Sequence, residues 1–114
     1  MLIKKKESKK IQNSKDCIVW EYAYPSKLFS FATAKINGRY PSKGSVANLT
    51  CEEIYYILSG KGIIHSEFGI FKIEEGDLYF FKKKEKYWVE GKNLSLILVN
   101  APKWNPKQHK TIDD

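Results

Sequence analysis

Few side chains in this 114-residue chain could do chemistry, and their spacing narrows what that chemistry is. A structural zinc site needs Cys and His ligands in closely spaced pairs. Cys17, Cys51, His65 and His109 stand singly along the chain, so no such site is expected. A nucleophilic thiolate needs positive charge nearby. Cys51 is instead followed by Glu52 and Glu53, which would raise its pKa and disfavour catalysis. Arg39 is the only arginine among many lysines. Its planar fork suits a ligand carboxylate or phosphate, and a structural ion pair accounts for it equally well.

The remaining cations set the net charge of +7. Five lysines lie within residues 1–10, and three more form Lys82-Lys83-Lys84. Such a balance admits nucleic acid as a partner. Base-edge readout favours Arg for bidentate contacts, and neither a helix-turn-helix nor an RNA-binding signature is present. The lysines read as a solvated surface, with no nucleic-acid partner. No run approaches the ~18 apolar residues of a membrane helix, and the Lys-rich start has no apolar signal segment. A cytoplasmic protein with reduced thiols is expected.

The chain length fits one domain. Helical periodicity is not sustained anywhere, whereas short β-rich runs alternate with turn signals. Strands are expected over Cys17–Tyr22, Leu28–Ile36, Ser45–Thr50, Glu52–His65, Ile70–Ile73, Leu78–Phe81, Tyr87–Glu90 and Leu94–Asn100. Asn37-Gly38 and Gly91-Lys92-Asn93 read as turns. Gly60 and Gly62 inside the longest run suggest a bulge. Residues 1–15 form a basic tail or a first edge strand, 16–101 a barrel, and 102–114 a tail. In that tail Trp104 should pack on the barrel or on a partner subunit. Trp20 is expected in the core. Along the long strand Glu53, Tyr55 and Ile57 share one face, and Ile54, Tyr56 and Leu58 the other. Both faces are largely apolar, so both should be covered, one lining the barrel and the other lying under another sheet or a second subunit.

The segment Glu52-Glu53-Ile54-Tyr55-Tyr56-Ile57-Leu58-Ser59-Gly60, followed by Lys61-Gly62, resembles the central strand of the cupin superfamily. Glu75-Gly76-Asp77 leading into Leu78-Tyr79-Phe80-Phe81 is similar to the opening of the second cupin motif. The resemblance covers residues 36–100 and implies an all-β fold, the double-stranded β-helix or jelly-roll barrel. It resembles the mannose-6-phosphate isomerase-like group of small cupins. Carried over position by position, the usual metal ligands fall on Val46, Asn48, Glu53 and Tyr87. Only Glu53 matches. Asn48 and Tyr87 are weak ligands for a divalent transition metal, so no metal cofactor is expected at that site.

The resemblance turns Asn48, Glu53 and Tyr87 toward one another inside the barrel. A carboxylate buried there would have a raised pKa and could act as general acid or base; the alternative is a satisfied polar network without chemistry. Glu53 and Tyr87 are the expected catalytic pair, with Glu53 moving a proton and Tyr87 polarising a carbonyl. Asn48, Tyr55, Arg39 and Cys51 are the expected ligand-binding residues, Cys51 because it shares the parity of Glu53. The implied function is binding of a small, sugar-like polar metabolite, with metal-free isomerase or epimerase chemistry, in a homodimer. Two alternatives stand beside it: a non-catalytic ligand-sensing dimer, and a metal enzyme using non-standard ligands.

Overall fold

The computed structural model describes residues 1–113. Among them the chain forms nine strands and two short 3-10 turns. The strands are β1 (Lys9–Ser14), β2 (Cys17–Tyr22), β3 (Ser30–Tyr40), β4 (Ser45–Asn48), β5 (Glu52–Ser66), β6 (Gly69–Glu74), β7 (Leu78–Phe81), β8 (Tyr87–Ala101) and β9 (His109–Ile112). All pairings are antiparallel. The two long strands β5 and β8 lie side by side along almost their whole length. β8 carries β3, then β2 and β1, on its other flank; β5 carries β7 and β6. β4 bridges β8 to β9. This curled antiparallel sheet is the all-β barrel expected from the sequence.

Inward-facing residues show why the sheet curls. On β5 both Ile57 and Ile64 are fully buried, and on β8 both Val89 and Leu94 are. Each pair is an odd number of residues apart, whereas a regular strand returns to the same face only at even spacing. One extra residue must therefore be absorbed between them, and register shifts fall there on β5. Across the three central strands Gly38, Gly91 and Gly62 sit opposite one another. This row of glycines takes the bend that closes the barrel. Gly60 has φ +82, and a side chain there would strike the Asn93 backbone.

The row accounts for two departures from the sequence reading. Asn37-Gly38 does not end a strand: β3 runs through it to Tyr40, with a register shift between Ile36 and Gly38. The Asp16 carboxylate fills the space beside Gly38 and accepts from the Arg39 amide at 3.0 Å. Gly91-Lys92-Asn93 likewise stays within β8, because neighbours on both sides keep its backbone in the sheet. Both segments are bulges, which share the glycine signature of turns.

The ends of the chain are also built in. Lys9–Ser14 is an edge strand on β2, and β9 is a strand where a tail was expected. Trp104 packs against His109, with ring centroids 5.6 Å apart. Trp20 is not core: it lies half-buried on the outer face, with Lys5, Lys10 and Lys35 around its ring. The inward positions of β2 belong to Cys17 and Val19. Inside, Ile36, Val46, Ile57, Ile64, Val89, Leu94 and Leu96 form the apolar core. Ala32 and Ala34 on β3 are small, and the space they leave opens a cavity of about 590 Å³.

Candidate functional site

Glu53 is the second residue of β5 and points inward with Tyr55 and Ile57. Asn100 stands directly opposite on β8 and donates its Nδ2 to Glu53 Oε1 at 3.0 Å. Asn48, at the end of β4, donates its Nδ2 to the same oxygen at 2.6 Å. The carboxyl is 6 % exposed and lines the cavity. Burial pushes its pKa up to about 7, against the two amide hydrogen bonds, which lower it. At neutral pH it therefore sits near the midpoint between acid and carboxylate, where one group can both give and take a proton.

Three phenols share the chamber. Tyr55 and Tyr87 are both buried, and each hydroxyl acts on the titration of the other. Phe81 packs on both rings, at centroid distances of 4.8 and 4.1 Å. Burial first, and the Glu53 charge second, push both hydroxyls well above the usual phenol value. They are held as neutral donors. Tyr40, at the end of β3, also lines the cavity, and its hydroxyl lies 3.2 Å from His109 Nε2.

His109 enters because β9 pairs with β4, setting Asn48 against His109. Its Nδ1 lies 3.4 Å from Asn48 Oδ1, which also accepts from Gln108 Nε2 at 2.9 Å. Gln108 in turn accepts from the Thr50 amide at 3.3 Å. Burial lowers the His109 pKa and favours the neutral ring. His109 lies in the segment expected as a tail, and Tyr40, Asn100 and Gln108 carry no signal in the sequence that marks them for this site. The available signal was the short alternation His109-Lys110-Thr111-Ile112, which is too brief to distinguish from a polar tail.

Of the six residues expected at the site, four come together: Asn48, Glu53, Tyr55 and Tyr87. The other two are turned to different partners. The Arg39 guanidinium donates to the Pro41 and Gly44 carbonyls and lies 4.0 Å from the Trp88 ring centroid. His65 stacks on Trp88 at 3.7 Å and bonds Glu90. This group lies outside the barrel. The buried Cys51 thiol donates to the Pro102 carbonyl at 3.2 Å, and burial raises its pKa.

The four positions onto which the sequence resemblance carries metal ligands lie close together. Val46 pairs with Tyr87 across the strands, and Asn48 touches Glu53. Their chemistry does not fit a metal: Val46 is hydrocarbon, the Glu53 oxygen is held by two amides, and the Tyr87 phenol is driven toward its neutral form. Among the described residues no group of three or more His, Cys, Asp or Glu is placed to hold an ion.

No family model and no curated protein matches the sequence. Solved structures do match in shape. Streptomyces PAC13 with uridine superposes with a TM-score of 0.90 at 15 % identity, over 99 % of this chain and 90 % of that one. Pac13 is described as a nucleoside dehydratase. Ectoine synthase from P. lautus follows with a TM-score of 0.73 at 16 % identity, over 98 % of this chain and 90 % of its own. KdgF from Halomonas sp. gives 0.71 at 12 % identity, over 90 % and 94 %. The rolled sheet, its glycine-bent strands and these superpositions together identify the fold of this chain as the cupin β-barrel.

Proposed function

We propose that this protein is a metal-free acid/base enzyme acting on a small polar metabolite with a sugar-like part, with Glu53 as the proton carrier. The observation that carries this is the buried Glu53 carboxyl, poised near neutral pH in a chamber of undissociated phenols. A carbonyl oxygen placed against Tyr87 would gain a hydrogen bond as charge develops on it. Glu53 is then in position to give that oxygen a proton as one leaves the neighbouring carbon. Isomerisation, epimerisation and loss of water from a β-hydroxy carbonyl compound all begin with that step. The cavity volume suits a ligand of nucleoside or disaccharide size. The match to a nucleoside dehydratase with uridine favours a substrate in which the sugar carries a flat ring. Aromatic residues Trp104 and Phe31 line the same cavity.

The test is deuterium wash-in from D2O, followed by NMR, over a panel of aldoses, ketoses and nucleosides oxidised to carbonyl compounds. The expected result is exchange at the carbon beside the carbonyl, reduced at least about a hundred-fold in Glu53→Gln. Equal exchange by wild type and Glu53→Gln would contradict it. The homodimer expected from the sequence is retained in this reading. It draws on the exposed Tyr56, Leu58, Leu78 and Phe80 on the outer face of β5 and β7.

A further inference from the structure

Chemistry of this class needs two proton carriers, one to take a proton and one to give it. Glu53 is one. The cavity wall contains a second titratable side chain that the sequence did not mark, and it is not isolated. His109 Nε2 lies 3.2 Å from the Tyr40 hydroxyl, and both residues line the chamber of Glu53. The tautomer follows from the surrounding amides. Asn48 Nδ2 donates to Glu53, so Asn48 Oδ1 faces Gln108 Nε2 and His109 Nδ1. Gln108 Oε1 accepts from the Thr50 amide, which fixes Gln108 Nε2 as the donor to Asn48. His109 Nδ1 therefore carries the hydrogen, and Nε2 offers its lone pair to the Tyr40 hydroxyl. Asn48 thus holds both carriers in one network, Glu53 through its Nδ2 and His109 through its Oδ1.

We infer that Tyr40 and His109 form a proton relay that works opposite Glu53, with Tyr40 touching the substrate and His109 acting through it as a positioning and storage residue. This rests on the acid/base reading above and completes it. In the forward step the C–H bond beside the substrate carbonyl breaks and its proton passes to the Tyr40 oxygen. The Tyr40 proton moves to His109 Nε2, and the electron pair moves onto the carbonyl oxygen. Protonated Glu53 gives its proton to that oxygen, leaving an enol, a carboxylate and an imidazolium. In a hydroxy carbonyl substrate, delivery of the relay proton to the former carbonyl carbon, with the hydroxyl proton of the adjacent carbon passing to Glu53, completes an isomerisation. Return of the relay proton instead to a departing β-hydroxyl, as its C–O bond breaks and the enol proton goes back to Glu53, re-forms the carbonyl beside a new C=C bond, releases water and restores both residues. Burial favours neutral His109 and protonated Glu53 as the resting pair.

The experiment has two arms on the full-length protein. Long-range 1H–15N NMR of histidine-labelled protein, with His65 assigned by His65→Gln, reads the His109 tautomer. A neutral ring with hydrogen on Nδ1, whose Nε2 resonance moves in Tyr40→Phe, is expected. Hydrogen on Nε2, or a resonance unmoved in Tyr40→Phe, overturns the relay. The second arm is wash-in with the aldoses, ketoses and oxidised nucleosides named above. Tyr40→Phe and His109→Gln should each lose about a hundred-fold or more in turnover with little change in KM. A His109→Gly variant should regain exchange when imidazole is added, which a purely structural role would not produce. Full exchange in Tyr40→Phe, or no imidazole rescue in a folded His109→Gly, overturns the inference. Wild-type protein without wash-in overturns the acid/base reading itself, and the NMR arm then still decides whether the hydrogen-bonded pair exists.

Discussion

A buried carboxyl with a raised pKa leaves a thermodynamic mark that needs no substrate. Glu53 has a folded pKa of about 7 against an ordinary value of 4.5, with burial as the cause. Between these values the folded state binds more protons than the unfolded chain, so stability falls as pH rises through the window. Below it the group is neutral in both states and costs nothing. Above it the fold carries a buried charge at a cost of about 3 kcal/mol. Glu53→Gln keeps an acceptor oxygen for Asn48 and Asn100 and removes that cost. Urea unfolding should find the variant more stable than wild type at pH 8, by up to about 3 kcal/mol, and the two much closer at pH 5. At this scale the sequence was informative where a motif fixed the register. Asn48, Glu53 and Tyr87 follow from the motif resemblance, and Tyr55 from sharing the face of Glu53 on the long strand. Tyr40, Asn100 and His109 reach the same chamber through strand pairings that no local pattern encodes. Arg39 was marked for its rarity, yet its fork is taken up by the Pro41 and Gly44 carbonyls.

The strands themselves were legible because alternation and β-branched or aromatic content are local properties. Their interruptions were harder to read. Asn37-Gly38 has a hairpin signature, and Gly91-Lys92-Asn93 a turn signature, but whether glycine turns a chain or bulges it depends on the neighbouring strand. Here the neighbours supply glycines of their own, and Gly38, Gly91 and Gly62 line up. A Cβ on Gly91 would meet the Ile36 carbonyl and side chain. Gly91→Ala should therefore cost about 1–3 kcal/mol, read as a lower urea midpoint, because a backbone neighbour cannot rotate away. An unchanged midpoint would mean that the bend does not need close approach at this row.

For the whole molecule, the inner and outer faces of the barrel divide the work. The inner face gives up packing around Ala32 and Ala34 to hold the cavity. The outer face of β5 and β7 leaves Tyr56, Leu58, Leu78 and Phe80 between 40 % and 58 % exposed. Such a row on the outside of a barrel fits a contact between copies. Sedimentation should find a dimer at micromolar concentration, and Leu78→Glu should shift it to monomer. A clean monomer in the wild-type protein would remove the second subunit from the account. No described helix is long and apolar enough to cross a membrane. Overall architecture followed from the sequence because the Glu52–Gly62 and Glu75–Phe81 motifs lie on the two strands that build the centre of the sheet. The C-terminal strand did not, since β9 is short and polar and gains its place only from β4.

The central claim is that Glu53 exchanges a proton at neutral pH. Carbon-13 NMR titration of glutamate-labelled protein, with the signal assigned by Glu53→Gln, reads this directly. The expected result is a Glu53 carboxyl with a midpoint at about 7. A Glu53 midpoint in the ordinary carboxylate range would contradict it and leave the cavity without its proton carrier.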